Sequence, residues 1–146
     1  MNTSLPTVVV LASGSGTLAQ AIFDDAAQSR DYVVSALVTD KPASAVVQRA
    51  TACGVPVIAM PISDYETRAA WDQALASQLS QVQPALVVSA GFMRILGPAV
   101  LADFEGRIIN SHPSLLPQFP GAHAVADAMA AGVERTGTTV HLVDAG

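Results

Sequence analysis

The sequence contains one cysteine, three histidines and few charged residues, which make up 13% of the chain. A single cysteine, Cys53, cannot form an intrachain disulfide and cannot build a cysteine-based metal cluster. The histidines at positions 112, 123 and 141 match no zinc-binding spacing. We therefore expect neither an internal disulfide nor a metal centre.

Long hydrophobic runs and an excess of positive charge are also missing. No apolar run reaches the roughly 18 residues that span a bilayer, and the first residues lack the basic stretch of a secretory signal. The net charge of −5 argues against nucleic acid or an anionic membrane as the main partner. These absences predict a cytoplasmic protein with no nucleic-acid or membrane partner.

Hydrophobic residues dominate what is present, at 51% of 146 residues, enough to bury the core of one domain. Apolar, β-branched runs of strand length alternate with segments of helical period. Such alternation predicts an α/β fold with a doubly wound, mostly parallel sheet. The predicted strands cover residues 7–12, 32–38, 55–59, 85–90, 107–110 and 138–143. The predicted helices cover residues 18–27, 43–52, 63–81 and 124–131, with a short one from Pro98.

Local signals refine this outline. Ser63 and Glu66 form a capping-box pattern, which predicts that the third helix begins there. Pro56 indicates that the third strand lies at an edge of the sheet. The chain ends directly after the sixth predicted strand, where a doubly wound sheet normally continues into a covering helix. We therefore expect one domain over residues 1–146 whose C-terminal part is missing.

A glycine-rich segment, with Gly14 and Gly16, joins the first predicted strand to the first predicted helix. Glycines let a ligand approach the backbone closely, and a helix N-terminus attracts anions. Together with Ala19 they fit the G-x-G-x-x-A dinucleotide pattern, with Asp40 as a ribose ligand. The segment is also compatible with a single bound phosphate, or with a tight turn that binds nothing. The loop alone does not decide among these alternatives.

Asn110 and His112 lie at the end of the fifth predicted strand, where side chains two residues apart share a face. Ser111 points the other way, and Pro113 favours an extended backbone at His112. An amide donor beside an imidazole suits acyl transfer, in which an oxyanion develops and a proton moves. The alternative is a purely structural pair at a strand end. Ser114 lacks the Gly-x-Ser-x-Gly surroundings of a nucleophile, which favours direct attack by a substrate.

Several segments of the chain form a recognisable combination. The segment that begins at Asn110 reads Asn-Ser-His-Pro-Ser-Leu-Leu-Pro, and it is accompanied by segments 10–17, 90–96 and 136–144. Together they resemble the phosphoribosylglycinamide formyltransferases of purine synthesis. The segment at Asn110 is the most specific part, and the resemblance covers nearly the whole chain. It implies a Rossmann-like formyltransferase fold. It also implies transfer of a formyl group from 10-formyltetrahydrofolate, the co-substrate, to the amine of glycinamide ribonucleotide.

The resemblance implies roles for individual residues as well. Asn110 would hydrogen-bond the formyl oxygen, and His112 would act beside it as imidazolium or proton donor. The ribonucleotide phosphate would be held by Gly16, Thr17 and Leu18. Because the side chain of Leu18 is apolar, any contact there must come from the backbone.

A second set would bind the folate, with Asn110 beside it. The segment that reads the pterin ring through its backbone would comprise Met93, Arg94, Ile95 and Leu96. Arg68 matches a position that meets the glutamate tail of the folate, and a solvated helix arginine is the alternative. His123 and His141 have family counterparts without a clear task, and a structural role is favoured for His141.

The resemblance leaves some points open. The family pattern places a histidine-pairing aspartate two residues beyond Gly146, so Asp144 is not that residue. Residues 1–146 alone are therefore expected to bind and catalyse poorly. A formyltetrahydrofolate hydrolase and a non-catalytic nucleotide-binding module stay as alternative functions. A homodimer stays open as the oligomeric state.

Overall fold

Strands and helices alternate through residues 4–145, which are the residues described by this computed structural model. The strands are β1 Thr7–Leu11, β2 Val33–Thr39, β3 Val57–Ala59, β4 Leu86–Ser89, β5 Ile108–His112 and β6 Thr139–Leu142. The helices are α1 Thr17–Ser29, α2 Ala45–Ala52, α3 Arg68–Val82, α4 Pro98–Asp103 and α5 Ala124–Ala131. The predicted alternation is confirmed. Within this range no helix combines the length and the hydropathy needed to cross a membrane.

The six strands form one sheet in the order β3-β2-β1-β4-β5-β6. Neighbouring strands are parallel except β5 and β6, which pair in antiparallel fashion. The strand order reverses between β1 and β4, and such a switch point leaves a crevice at the carboxyl ends of the strands. The doubly wound, mostly parallel sheet is therefore confirmed, with β3 at an edge as Pro56 indicates.

Alternating strand residues divide the core between the two faces of the sheet. Val8 and Val10 pack with helices α1 and α2, and this side is called the α1/α2 face. Val9 and Leu11 pack with helices α3 and α4, which define the α3/α4 face. Trp71 on α3 is fully buried there, and its Nε1 donates a 2.9 Å hydrogen bond to a backbone carbonyl. Each strand thus supplies both cores, and its end can present side chains to both faces.

Helix α3 begins later than the capping-box pattern predicts. Residues Ile62–Asp64 form a single 3-10 turn, and the helix starts at Arg68. Its N-cap is Thr67, whose hydroxyl accepts a 3.0 Å hydrogen bond from the amide of Ala70. The capping-box prediction is wrong because Thr67 supplies the acceptor that a first-turn amide needs.

Strand β5 ends later than predicted. The sequence predicts residues 107–110, whereas the strand spans Ile108–His112. The extension follows from β6, which pairs with Ser111 and His112 in an antiparallel ladder. Pro113 has no amide hydrogen to donate to the ladder, and the strand ends before it. The predicted acyl-transfer pair therefore lies within a paired strand rather than at the start of a loop.

A buried carboxylate on α3 caps the N-terminus of α4. Asp72 is 5% exposed, and its two oxygens accept 2.8 Å hydrogen bonds from the amides of Gly97 and Ala99. Amides at this end of a helix lack helical acceptors. A Cβ added at Gly97 would lie 2.6 Å from Cγ of Asp72, so the contact also requires glycine there. Asp72 thereby fixes α4, and the loop that precedes it, against α3.

We expect Asp72→Ala to lower the free energy of unfolding by about 2 kcal/mol, because two helix-terminal amides would lose their acceptor. Gln73→Ala, at the neighbouring exposed position of the same helix, is the matched control. It should change stability by less than about 0.5 kcal/mol. Equilibrium unfolding in urea measures both variants. Equal stabilities would show that α4 does not depend on the Asp72 carboxylate.

Candidate active site

An open cavity of about 280 Å³ lies at the carboxyl edge of the sheet, at the switch point between β1 and β4. Its walls come from the loop after β1, the loop after β4, the end of β5 and the residue that precedes β6. The lining comprises residues 14–18, Ala90, Gly91, Met93, Ser111, Pro113 and Thr138. The glycine-rich loop thus forms one wall of a cleft where open α/β sheets bind their ligands.

The predicted phosphate-binding residues stand at the N-terminus of α1. Gly16 has φ +76°, a left-handed conformation that glycine adopts without strain. The first helical hydrogen bond runs from the amide of Gln20 to the carbonyl of Gly16, at 2.8 Å. The amides of Thr17 and Leu18 therefore have no helical acceptor. Both residues line the cavity at the positive end of the helix dipole, an arrangement that attracts an anion.

Helix α2 holds this loop from behind. The amide of Val46 donates to the carbonyl of Gly14 at 3.2 Å, and Nε of Arg49 donates to the carbonyl of Ser15 at 2.7 Å. Gly16 packs so closely that an added Cβ would lie 2.5 Å from Cγ2 of Val46. Two loop carbonyls are therefore turned toward α2, and a guanidinium adds positive charge behind the loop.

We expect Gly16→Ala to lower the free energy of unfolding by about 1–3 kcal/mol, because alanine disfavours the left-handed backbone and collides with Val46. Gly14→Ala is the matched control, since a Cβ there meets no atom within 4 Å and its φ is not in the left-handed range. That variant should shift stability by less than about 1 kcal/mol. Chemical unfolding of the two proteins makes the comparison, and the same loss in both would contradict the packing argument.

Strand β5 presents its site residues to both faces of the sheet. Ile108 belongs to the core of the α3/α4 face, so strand alternation places Asn110 and His112 on that face. Ser111 alternates with them and lines the cavity beside the glycine-rich loop. The predicted catalytic pair and the cavity therefore lie on either side of one strand end.

The side chain of Asn110 meets His141 on the neighbouring strand β6. Its Nδ2 lies 3.4 Å from Nε2 of His141, and Nδ1 of the same ring lies 2.9 Å from the carbonyl of Leu142. A carbonyl only accepts hydrogen bonds, so Nδ1 carries a proton, and in the neutral ring Nε2 accepts from the amide. An asparagine amide has two N–H groups, and the second is left for a ligand oxygen. The sequence assigns His141 no chemical task, and the structure places it where it orients Asn110.

The ring of His112 is held by the loop that follows β5. Its Nε2 lies 2.9 Å from the carbonyl of Phe119, to which it donates, so Nδ1 is the ring atom that can exchange a proton with a ligand. Ser114 is fully buried, and its hydroxyl donates to the carbonyl of Gln118 at 2.6 Å. Ser114 therefore closes the loop and is shielded from any substrate.

The four residues predicted to read a pterin ring occupy the loop between β4 and α4, and their side chains diverge. Met93 and Ile95 are exposed, at 64% and 85%. Leu96 is buried in the core of the α3/α4 face, so only its backbone could meet a ligand. Arg94 points into the protein, where its Nε donates to Oδ2 of Asp40 at 2.6 Å. Backbone groups and two apolar side chains are what this loop offers to a ligand.

Arg68, predicted to meet the tail of a folate, contacts the same loop directly. Its Nη2 donates a 2.9 Å hydrogen bond to the carbonyl of Ile95. Its guanidinium carbon lies 5.4 Å from the centre of the Trp71 ring. Arg68 is exposed, and its guanidinium lies against the loop. It lies on α3, at the same face of the sheet as Asn110 and His112.

The carboxylate of Asp40, at the end of β2, is engaged inside the protein. Its side chain is 0% exposed. Oδ1 accepts a 2.6 Å hydrogen bond from the hydroxyl of Ser13, and Oδ2 accepts from Arg94. A buried carboxylate with both oxygens engaged does not face a ligand, which argues against the alternative that assigns Asp40 to a dinucleotide.

Sequence reasoning overlooked several residues of the site. The sequence places Ser13 at the carboxyl edge of the sheet but does not indicate its hydrogen bonds, and it indicates neither Thr138 nor the cavity-lining role of Ser111. Their position at the carboxyl edge of the sheet is the feature of the sequence that could have indicated them. His123, whose role was left open, is exposed at the start of α5. Residues 4–145 contain no group of three or more histidine, cysteine, aspartate or glutamate side chains that could hold a metal ion.

Similar sequences and structures occur among known proteins. Residues 7–146 match the family model described as formyl transferase. Phosphoribosylglycinamide formyltransferase of Mycobacterium tuberculosis (strain CDC 1551 / Oshkosh) is 50% identical over 139 residues, which cover 95% of this chain and 64% of that protein. The protein of the same name from Bacillus subtilis (strain 168) is 44% identical over 138 residues, which cover 94% and 71%. The crystal structure of glycinamide ribonucleotide transformylase 1 from Symbiobacterium toebii has a TM-score of 0.95 and 39% identity, covering all of this chain and 71% of the other.

Proposed function

The chain belongs to the formyl transferase family, and on that premise we propose that it transfers a formyl group from 10-formyltetrahydrofolate to the amine of glycinamide ribonucleotide. The observation that carries the proposal is an anion-attracting cleft on one side of the end of β5 and an amide–imidazole pair on the other. An acceptor with a phosphate at one end and an amine at the other would bridge the two. The product would serve purine synthesis.

The phosphate of the ribonucleotide would bind at the N-terminus of α1. Gly16 admits a close approach, and the amides of Thr17 and Leu18 would donate to phosphate oxygens. Leu18 contributes its backbone alone. Because the net charge of −5 repels an anionic substrate overall, the local donors and the nearby Arg49 would supply the attraction.

The folate would bind on the α3/α4 face. Backbone groups of Met93, Arg94, Ile95 and Leu96 would hydrogen-bond the edge of the pterin ring, and the exposed side chains of Met93 and Ile95 would cover it. Arg68 would pair with carboxylates of the glutamate tail, using N–H groups that its contact with Ile95 does not occupy. The same face carries the amide–imidazole pair, so the formyl carbon would arrive beside the groups that act on it.

The reaction needs no covalent bond to the protein. The substrate amine attacks the formyl carbon, a new C–N bond forms, and the bond to N10 of the folate breaks. The free N–H of Asn110 would donate to the oxygen as it becomes an oxyanion. His112, as an imidazolium, would pass its Nδ1 proton to the departing folate nitrogen, and the attacking amine would release a proton to water. His141 would hold the Asn110 amide in position for this contact.

The proposal extends to how the domain is organised. Residues 1–146 would form the N-terminal and catalytic part of a single formyltransferase domain. We do not assign Asp144 the role of the carboxylate that the family pattern pairs with His112. The cytoplasmic location and the homodimer stay predictions.

The alternative functions fit the geometry less well. A formyltetrahydrofolate hydrolase would use water as its second substrate, and water has no phosphate to occupy the cleft beside Gly16. A nucleotide-binding module would leave Asn110 and His112 without a task, and it would need the carboxylate of Asp40, which is buried. A small-molecule acceptor that carries both an amine and a phosphate uses all parts of the site.

We expect His112→Ala, made in the complete gene product, to lower kcat for formyl transfer by at least about 100-fold, because the departing nitrogen would lose its proton donor. The melting temperature should change by less than about 3 °C, since His112 contacts a surface loop rather than the core. A spectrophotometric assay with glycinamide ribonucleotide and 10-formyltetrahydrofolate measures the rate. His123→Ala, at an exposed position, is the matched control and should keep the wild-type rate. Undiminished turnover by His112→Ala would remove His112 from the mechanism.

We expect Gly16→Ala to raise the Kd for glycinamide ribonucleotide by about tenfold or more, because a displaced loop misaligns the amides at the start of α1. The Kd for the folate should change by less than about twofold, since the folate would contact the loop after β4. Titration calorimetry of each ligand against wild type and variant gives both values. Parallel weakening of the two ligands would contradict the phosphate assignment.

A further inference from the structure

We propose that Asp40 is a positioning residue that holds the loop after β4, here called the 91–96 loop, in the conformation that receives the folate. This inference rests on the proposed function, because the folate is the ligand assigned to that loop. Asp40 itself touches no ligand, since its side chain is 0% exposed. It acts through two side chains: Arg94, which belongs to the loop, and Ser13, which hydrogen-bonds to the loop.

The first connection runs through Arg94. Its Nε donates to Oδ2 of Asp40 at 2.6 Å, and the two residues are 54 positions apart in the sequence. The side chain of Arg94 is 34% exposed, whereas the carboxylate is fully enclosed. The ion pair therefore holds the side chain of Arg94 against the sheet, and the backbone of the neighbouring loop residues stays on the outside. A hydrogen bond between an enclosed carboxylate and a guanidinium is among the strong ones in proteins.

The second connection runs through Ser13, the last residue before the glycine-rich loop. Its hydroxyl donates to Oδ1 of Asp40 at 2.6 Å and accepts from the amide of Met93 at 2.8 Å. The amide of Ser13 also donates to the carbonyl of Gly91 at 3.3 Å. Because the Ser13 hydroxyl donates its hydrogen to the carboxylate, the lone pairs of its oxygen face the Met93 amide. The charge on Asp40 thus sets the direction of a hydrogen bond to the 91–96 loop.

The burial of the carboxylate makes these contacts obligatory. An ionised side chain that is removed from water needs a counter-charge and hydrogen bonds to be tolerated. Arg94 supplies the charge and Ser13 supplies a donor, and both are tied to the same loop. A displaced 91–96 loop would leave Asp40 without them. The carboxylate therefore selects the one loop conformation in which Met93 and Ile95 point outward.

The substitution Asp40→Asn isolates the effect of the charge. Asp40→Asn keeps the size of the side chain and keeps one oxygen, which Ser13 can still use. Its NH2 group then faces the guanidinium of Arg94, so two donors meet where an ion pair was. We expect KM for 10-formyltetrahydrofolate to rise by about tenfold and kcat to fall by less than about threefold. A role in general stability alone would not produce this separation of KM from kcat.

The test uses the complete gene product in four forms: wild type, Asp40→Asn, Arg94→Gln and the double variant. Because the two substitutions break one ion pair, the double variant should show nearly the same folate KM as either single variant. Independent, multiplying effects would overturn the proposal. Arg94→Lys, which restores a positive charge, should recover part of the loss. Asp24→Asn, on the exposed surface of α1, is the matched control and should leave the folate KM unchanged.

Hydrogen exchange without any ligand provides a second readout that does not depend on activity. The Met93 amide should exchange at least about tenfold faster in Asp40→Asn than in wild type, because the neighbouring Arg94 loses its ion pair with Asp40 and the 91–96 loop is held less firmly. Ser13→Ala should also accelerate exchange at Met93, because it removes the acceptor of that amide. This variant replaces Asp40→Asn in the experiment if Asp40→Asn does not fold. A folded variant with wild-type exchange at Met93 would overturn the inference. If wild type transfers no formyl group while the exchange rates change as expected, the proposed function fails and the loop-positioning contact stands. If wild type is active and the folate KM does not move, the inference fails alone.

Discussion

The structure depends on one constraint: a parallel sheet covered by helices on both faces has its accessible chemistry at one edge. Helices α1 and α2 cover one face here, and α3 and α4 cover the other. The chain leaves β1 toward α1 on one face and leaves β4 toward α4 on the other. A crevice therefore remains between the carboxyl ends of these two strands. The polar groups of the candidate site are all found along this edge. The four loops that carry them would be unrelated in an unfolded chain, and the sheet alone brings them together.

Strand β5 turns this edge into a site for two ligands. Its pleat sends Asn110 and His112 to the α3/α4 face and Ser111 to the cavity beside the glycine-rich loop. Successive residues in a strand advance by about 3.3 Å, so groups that face opposite sides remain close along the chain. The antiparallel partner β6 stabilises this region by extending the ladder through His112 and by placing His141 against the Asn110 amide. One strand end can thus serve ligands that approach from both faces.

The sequence predicts the fold well, and the features it misses are those set by distant residues. Buried strands of a parallel sheet are apolar throughout, and this local composition is visible without a structure. The sequence predicts the start of α3 at Ser63, whereas Thr67 caps the helix in the structure, because both residue types can serve as helix caps. The end of β5 depends on pairing with β6, about 30 positions later in the chain. For the candidate site, the residue types at the end of β5 indicate the chemistry. The contact by which His141 orients Asn110 is visible only in the structure.

Asp40 shows most clearly why local reasoning fails at the site. An acidic residue at the end of the second strand is the expected ribose ligand of a dinucleotide-binding fold. In this chain its partner is Arg94, 54 positions away, and no local sequence pattern predicts that pair. Burial of the charge by a loop residue changes its task from ligand binding to internal support. A motif match at a strand end therefore requires a check of whether the side chain is already engaged.

The shape of the glycine-rich loop distinguishes an amine substrate with an anionic tail from water. Hydrolysis of a formyl group would need the folate-binding loop, Asn110 and His112 on the α3/α4 face. It would need no group on the other side of β5. Yet the loop after β1 adopts a left-handed backbone at Gly16, packs where no Cβ fits, and has two carbonyls held by α2. A turn that only joined β1 to α1 would not require amides aimed into an open cavity with a guanidinium behind them. These features have a common explanation if the second substrate carries a phosphate, and this is why we favour formyl transfer over hydrolysis.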